Sequence, residues 1–437
     1  MDLPGYLKKL AEQEQLAEVT AEVSCQLELP ALCRREFQKR NGGKALLFQT
    51  LIESEMTLAA NLFGSEERLN LLLRCSGLSD FARRIRSYLA AERPPSRRQK
   101  NSPEKPLEFM ASVRIDTKVL PTIRSWPNET AGYLTLALTV TRDPRTGVQN
   151  VGLYRAQVQS ENRIALNFAP GSGAARHLQT AEEMQQSLPV ALLLGGDPVW
   201  LWAASAPLPE GIDEFSFCSD LFGSNARFVD CISQPLQIPA SAEVVIEGEI
   251  APGDTCAEGP FGNHSGQYVT RADCPQMTVS AILHKPEPIV PVTVVGPPPS
   301  ENIYLARASE VLIRETVKHA CPDVVDLQMP RDTIFHGASL VSVRSAGEKN
   351  QQELIDYLWR ESPLKRARFV LLVDADIELN NFSRCWWRAI NQLQADKIYQ
   401  EQGRMMIDAT GVDPSSQVKE NPQTLKRLEQ RKDDYQL

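Results

Sequence analysis

Apolar residues recur at helical spacing near the start of the chain. Leu7, Leu10 and the segment running on to Leu16 alternate with charged positions at a period of about 3.6, which predicts an amphipathic helix. Residues 29–37 predict a second helix, with Pro30 tolerated in its first turn. Asn41-Gly42-Gly43 breaks the chain, and the apolar run Ala45–Phe48 then reads as a buried strand. Ser65, followed by Glu66-Glu67-Arg68, is placed to cap a further helix. Residues 1–105 are therefore expected to form a small α/β region, ending in a Pro- and Arg-rich linker over 91–106.

From about residue 107 the apolar period changes to two. Strands are expected over 133–141, 151–158, 163–168, 190–194 and Val244–Ile250, with turn chemistry between several of them, notably Asp143-Pro144-Arg145-Thr146-Gly147. Such strands with Gly- and Pro-bearing connections predict a barrel or open sheet over 106–302, closed by Gly296-Pro297-Pro298-Pro299. From about 303 the α/β alternation returns. A helix is expected over 309–319 with Ser309 as its cap, strands over 324–327 and 339–343, and a helix over 348–359. A strand over 369–373 ends at Asp374-Ala375-Asp376, and a helix over 382–393 carries Trp386 and Trp387. The polar last twenty or so residues read as a mobile tail or as an arm onto a partner subunit. The expected class is α+β, with a central β domain (106–302) flanked by α/β regions (1–105 and 303–437).

Composition narrows the function. A hydrophobic fraction of 42% and a charged fraction of 23% are those of a globular protein, and a net charge of −8 argues against a general nucleic-acid binder, whose affinity rests on clustered Lys and Arg. The one basic cluster, Arg97-Arg98-Gln99-Lys100, reads as solvated linker. Nine cysteines without a CxxC pair give neither a zinc cage nor a disulfide framework, so reduced thiols and a cytoplasmic location are expected. Met1-Asp2-Leu3-Pro4 does not open like a signal peptide, and no apolar run approaches the roughly 18 residues of a membrane span.

Two stretches concentrate candidate chemistry. Asn150-Val151-Gly152-Leu153-Tyr154-Arg155 enters a strand; Glu258-Gly259-Pro260-Phe261-Gly262-Asn263-His264 follows one. Arg155 on an apolar strand needs a partner, and Glu258 can supply it, either as part of a site or as a structural ion pair. Asn150 and Glu214 offer an amide oxygen and a carboxylate, which suit a hard cation beside a phosphate; the alternative is a turn residue and an exposed acid. His264 suits a proton relay or a hydrogen-bonded wall position. His177 reads as lying on a helix surface. Asp374 and Asp376 stand at a strand end, where open sheets often place functional groups, or else cap a helix.

These stretches resemble the UbiD family, the prenylated-flavin-dependent decarboxylases that include polyprenyl-hydroxybenzoate carboxy-lyase. The resemblance rests on residues 141–155, 239–248, 257–262, Gly296-Pro297-Pro298-Pro299-Ser300-Glu301 and Ile407-Asp408-Ala409-Thr410, which span nearly the whole chain in order. It implies that the central domain is a split β-barrel holding prenylated FMN, with Mn²⁺ or Mg²⁺ and K⁺. It implies that Asn150 and Glu214 are metal ligands, and that Leu153, Tyr154, Arg155, Asn167, Phe168, Ala169, Ser172 and Gly173 line the cofactor. Arg155 and Glu258 match two members of the catalytic Glu-Arg-Glu/Asp network, and Arg404 falls where a lysine near the flavin phosphate is usual.

Three departures stand against the family pattern. Asn263 occupies the position of the second acid, and an amide cannot donate a proton as a carboxylic acid does. Gly171 aligns with the metal histidine, and only a shifted alignment reaches His177. The segment 395–404 is short. With Asn263 in place, final protonation falls to Glu258, His264 or water. Two functions remain open. One is a decarboxylase, or reversible carboxylase, of an aromatic or α,β-unsaturated acid in quinone biosynthesis, with a hydroxybenzoate- or naphthoate-like substrate. The other is an impaired subunit that binds flavin or scaffolds an active paralogue. The resemblance also implies a flavin prenyltransferase as cofactor supplier, a homo-oligomer of dimeric or hexameric type, and peripheral membrane contact if the acid carries a polyprenyl tail.

Overall fold

The computed structural model describes residues 1–91, 110–111, 116–208, 212–223, 227–333, 337–344, 347–413, 418 and 420–435. The basic cluster at 97–100, and all but the first residue of the expected linker, lie outside the described residues. The chain forms two compact units, one of Met1–His319 with Pro330–Phe335 and one of Ala320–Met329 with His336–Leu437.

The first unit opens with helix Leu3–Glu12, capped by the Asp2 carboxylate on Gly5 N at 3.1 Å. It stops short of Leu16, which begins a strand instead. Strands Leu16–Val19, Ala45–Phe48, Thr57–Ala60 and Ile289–Val292 make a mixed four-stranded sheet in that order. Ser65 caps helix Glu66–Leu72 as expected, its Oγ accepting from Arg68 N at 3.1 Å. The unit does not end at 302. Strand Ile289–Val292 pairs in parallel with Thr57–Ala60, and the wholly buried Glu301 carboxylate accepts from Phe63 N at 3.1 Å. Helix Asn302–Ala320 continues from there, so Ser309 is a buried mid-helix residue and not a cap.

The central sheet has ten strands, antiparallel throughout, and curls into a half-barrel. Its order is Tyr133–Leu134, Ala156–Ser160, Arg163–Leu166, Tyr268–His284, Val244–Ile250, Leu188–Leu194, Leu138–Arg142 and Gln149–Leu153; Thr255–Gly262 and Met110–Ala111 also pair with Tyr268–His284. The Asp143 carboxylate accepts from Arg145 N and Thr146 N, both at 2.8 Å, and this turn closes the hairpin between Leu138–Arg142 and Gln149–Leu153.

The strand expected over 151–158 is broken at Tyr154 and Arg155. Gly152 is the physical reason. A Cβ there would lie 2.3 Å from the Tyr154 ring, so only glycine lets the tyrosine fold back over the strand. The chain leaves the ladder for two residues, and those two are candidates for the site.

The second unit is a five-stranded sheet in the order Val324–Gln328, Ala338–Val343, Phe369–Asp374, Arg404–Ala409, Ile398–Glu401. The three inner strands are parallel and both edges antiparallel. Leu340, Leu371, Val373 and Ile407 pack on helix Phe382–Asn391 through Cys385 and Ala389. The short segment 395–404 is a tight edge hairpin, Ile398–Glu401 against Arg404–Ala409. Helix Pro422–Gln430, capped by Asn421, has no buried side chain. Among the described residues no helix is long and apolar enough to cross a membrane.

Candidate functional site

Leaving the ladder at Tyr154 turns Arg155 toward the strand Thr255–Gly262. Its guanidinium forms a two-pronged pair with Glu258: Nε donates to Oε1 and Nη2 to Oε2, each at 2.8 Å. The Glu258 side chain is 0% exposed and that of Arg155 is 21% exposed, so the pair is largely removed from water and one edge of the arginine still reaches open space. Asn167 Nδ2 donates to Glu258 Oε2 at 2.8 Å. Burial alone pushes the Glu258 carboxyl up, but the hydrogen bonds and charge of Arg155, helped by Asn167, outweigh it and hold the group below the usual carboxylate range. Glu258 is thus an ionised carboxylate at neutral pH.

Aromatic rings back this pair. The Arg155 guanidinium lies 4.5 Å over the Phe261 ring, and Phe261 meets Tyr133 edge-on at 4.7 Å. Tyr133 is 1% exposed, and its hydroxyl is buried without a hydrogen-bond partner. Burial first, and the Glu258 charge second, push the phenol above its ordinary range. The sequence offered no local sign of Tyr133. It stands at the start of a strand far from both motifs, and only the sheet brings it to Phe261.

The remaining cofactor candidates gather beside this network. Asn167 N donates to Arg155 O at 3.2 Å, and the Phe168 and Tyr154 rings meet at 5.0 Å. Arg271, opposite Glu258 in the hairpin register, donates to Phe168 O at 3.0 Å. Ser172 N donates to Ala169 O at 3.0 Å, and Ser172 Oγ caps helix Gly173–Glu183 on Ala175 N at 3.3 Å. The structure therefore brings Tyr154, Arg155, Asn167, Phe168, Ala169, Ser172 and Gly173 together, whereas the Leu153 side chain packs into a different core cluster from Tyr154 and Phe168.

Asn150 and Glu214 also come together. Glu214, first residue of helix Glu214–Phe222, accepts from Val151 N at 3.2 Å through Oε2, next to Asn150 in the chain. The start of helix Gly173–Glu183 closes on the Asn150 side chain, whose Nδ2 is buried with no hydrogen-bond partner. A buried orphan amide nitrogen beside a capped helix N-terminus fits a phosphate oxygen, which accepts from both. The metal fits less well. Among the described residues no group of three or more His, Cys, Asp or Glu side chains can hold an ion. Gly171, with φ +71°, has nothing within 4 Å of a Cβ placed there. One amide oxygen and one carboxylate make an incomplete donor set, which suits Mg²⁺ or Mn²⁺ only with phosphate and water as further ligands.

One expectation is corrected. His177 is not on a helix surface: it is 8% exposed and shares a 2.9 Å hydrogen bond between Nδ1 and Thr141 Oγ1. Its helix runs along strands Leu138–Arg142 and Gln149–Leu153, which no sequence periodicity announced. Arg404 is engaged within its own unit, donating to the carbonyls of Trp359, Leu364 and Ala367 at 3.0 to 3.3 Å and stacking 3.8 Å from the Trp359 ring. The guanidinium is thus well supplied with acceptors inside the second unit. Asp374 and Asp376 both receive Arg388, at 2.7 and 3.1 Å, which makes them the ends of a structural clamp. Asn263 serves its own turn: Oδ1 accepts from His264 N at 2.8 Å, and Asn263 N donates to Gln267 O at 2.9 Å.

Comparison with known proteins gives this arrangement its setting. Residues 7–86, 98–298 and 303–421 match the models of the N-terminal domain, the Rift-related domain and the C-terminal domain of 3-octaprenyl-4-hydroxybenzoate carboxy-lyase. An uncharacterised Aquifex aeolicus protein is 32% identical over 78% of this chain and 74% of its own length. One from Archaeoglobus fulgidus is 29% identical over 88% of this chain and 83% of its own length. Among solved structures, the closed form of Sedimentibacter hydroxybenzoicus vanillic acid decarboxylase superposes with a TM-score of 0.86 at 23% identity, covering 99% of this chain and 98% of that one. An evolved dimeric form of the UbiD-class enzyme HmfF from Pelotomaculum thermopropionicum, in complex with prFMN, superposes at 0.79 with 23% identity, covering 97% and 98%. With all three domain models matched in order along its length, this chain belongs to the UbiD family.

Proposed function

We propose that the chain is a prenylated-FMN-dependent decarboxylase of an aromatic or α,β-unsaturated carboxylic acid. The observation that carries this reading is the Arg155–Glu258–Asn167 network, a buried carboxylate held ionised by a two-pronged arginine that keeps one edge open. An aromatic acid is favoured because the structural neighbours include decarboxylases of vanillic and 3,4-dihydroxybenzoic acid and because the matched family is that of a 3-octaprenyl-4-hydroxybenzoate carboxy-lyase; a role in quinone biosynthesis goes with this reading.

The chain's own residues do the following. Arg155 binds and orients the substrate carboxylate, since a guanidinium matches a carboxylate in two-pronged geometry. Glu258, released in part from Arg155 by that binding, takes up a proton and holds it at a carboxyl oxygen for the substrate. Phe261 and Tyr133 keep water from the pair. The Ser172–Gly173 helix start and Asn150 hold the phosphate of the cofactor, with Glu214 and Asn150 offering oxygen to a divalent cation. The prenylated flavin, when bound, supplies the electron sink for loss of CO₂. Asn263, tied into its turn, supplies no proton, so Glu258 carries the proton step, with His264 or water as its source.

A second reading is favoured by one observation. With the amide oxygen of Asn263 serving its own turn, the network is one acid short. A flavin-binding subunit that scaffolds an active paralogue has the same architecture without the chemistry. Co-expression with a flavin prenyltransferase, followed by absorption spectra and CO₂ release from 4-hydroxybenzoate, vanillate and 3,4-dihydroxybenzoate, separates the two. A flavin-loaded protein that releases CO₂ from none of these acids supports the second reading.

A further inference from the structure

The Tyr133 hydroxyl has no role in the account above, and it is an unusual group. It is buried on a ring that is 1% exposed, and it has no hydrogen-bond partner. A buried hydroxyl left unpaired is costly, and native structures seldom keep one without a use. Its surroundings are specific. The ring packs on Phe261, whose face carries Arg155, and the hydroxyl faces the Glu258 carboxylate at the edge of hydrogen-bonding reach, near enough to act on it as a donor and as a neighbour of its charge but short of a formed hydrogen bond. Glu258 already receives Nε and Nη2 of Arg155 and Nδ2 of Asn167, so in the resting protein it is well supplied with donors.

That supply changes when a ligand binds. On the reading above, a substrate carboxylate draws on the same guanidinium. The Nη1 edge of Arg155 is open to the substrate, but a substrate that also draws on Nε or Nη2 takes that N–H from Glu258, which is left as a buried carboxylate short of donors, a costly state. We propose that Tyr133 is the positioning residue that fills this gap: as Arg155 turns to the substrate, the Tyr133 O–H swings onto Glu258. The hydroxyl is unpaired at rest because its hydrogen bond belongs to the liganded state. No bond is made or broken in this exchange and no proton leaves the tyrosine. Glu258 keeps its place while it loses the charge that held it ionised.

The inference rests on the decarboxylase reading for its substrate step, yet one of its tests does not need that reading. In flavin-free protein at pH 8, Tyr133→Phe alone is expected to change the melting temperature by less than about 1 °C, because it removes only an unpaired group. In an Arg155→Gln background, where Glu258 has lost its main donor, the same change is expected to lower it by about 2 °C or more. Equal small effects in both backgrounds overturn the proposal. In flavin-loaded protein, benzoate is expected to bind Tyr133→Phe about ten- to a hundredfold more weakly than wild type, the size of one hydrogen bond to a charged group. The acid limb of the rate profile is expected to move to higher pH. Unchanged benzoate affinity and an unmoved limb also overturn it. If wild type neither binds benzoate nor releases CO₂, the decarboxylase reading fails, and the melting comparison still decides the role of Tyr133.

Discussion

Gly173 backs onto Asn150 so closely that a Cβ at position 173 would lie 1.8 Å from Asn150 Oδ1 and 2.4 Å from its Cγ. The contact involves a side chain locked in a strand ladder, with Thr141 directly across from Asn150, so it has little room to give. Gly173→Ala is therefore expected to push Asn150 out of place. Overpacking of this kind costs about 1–3 kcal/mol in stability. The more telling readout is flavin retention: the variant is expected to purify without flavin under conditions in which wild type keeps it. Gly171→Ala, with nothing within 4 Å, is the control for a merely less flexible loop, although its φ of +71° carries a strain of its own.

Asn263→Asp restores a carboxyl at the position where the amide now accepts from His264 N. An aspartate caps the same turn, so the fold is expected to hold, with a melting temperature close to wild type. A positioned acid contributes about 10²–10⁴-fold to a proton-transfer step. If protonation limits turnover, CO₂ release by Asn263→Asp rises by a large part of that factor. A flavin-loaded Asn263→Asp variant as inert as wild type on all three acids points to the scaffold reading.

Parts of this site were legible in the sequence because they are local. The turn at Asp143 and the cap at Ser65 are each set by residues within a few positions of one another, and the structure realises both, whereas the strand expected through Arg155 is interrupted at Tyr154 and Arg155. The expected cap at Ser309 fails because the helix begins at Asn302, directly after residues 296–301. Buried Glu301 ties the chain back to Phe63, and the helix starts before Ser309 is reached. His177 was misread because the buried face of its helix is decided by strands outside its own sequence window. Tyr133 left no trace, since its meaning depends on Phe261 and Glu258, which only the curl of the sheet brings near. Chemistry that two distant strands share is not written in either of them alone.

Glu258→Gln tests the charge of the network. Removing the carboxylate leaves Arg155 partly buried without its partner, a loss of about 1–3 kcal/mol near neutral pH, at the low end because Arg155 keeps some solvent contact. The pH dependence follows from the lowered carboxyl. Its folded-state pKa lies below the unfolded value of about 4.3. Its stabilisation is fully present above that unfolded value and is lost as pH falls through the folded one. Thermal melts from pH 7 down to pH 3 are therefore expected to show the gap between wild type and Glu258→Gln narrowing only below about pH 4.3. A gap that is constant with pH indicates that Glu258 does not titrate with the fold.

His177 gives the same argument at a pH that a cell visits. It is buried against Thr141, with Asp143 acting to raise its pKa and Arg176 to lower it, and burial is the largest influence, so the imidazole sits below its ordinary value. The unfolded chain binds the proton first, at about pH 6.5, and the folded chain only lower down. Stability linked to His177 is therefore intact above about pH 6.5 and declines as pH falls toward the folded value. The cost is local as well as global. A protonated ring can only donate to Thr141 Oγ1 and carries a charge into a buried site, and Thr141 lies across the ladder from Asn150, proposed above to hold the phosphate. His177→Gln keeps a group able to bond Thr141 and cannot take up the proton. Wild type is expected to lose melting temperature, and with it bound flavin, as pH falls below about 6.5, while His177→Gln stays flat across that window. A variant that follows wild type through the same range assigns the acid loss to other groups and removes His177 from the control of the site.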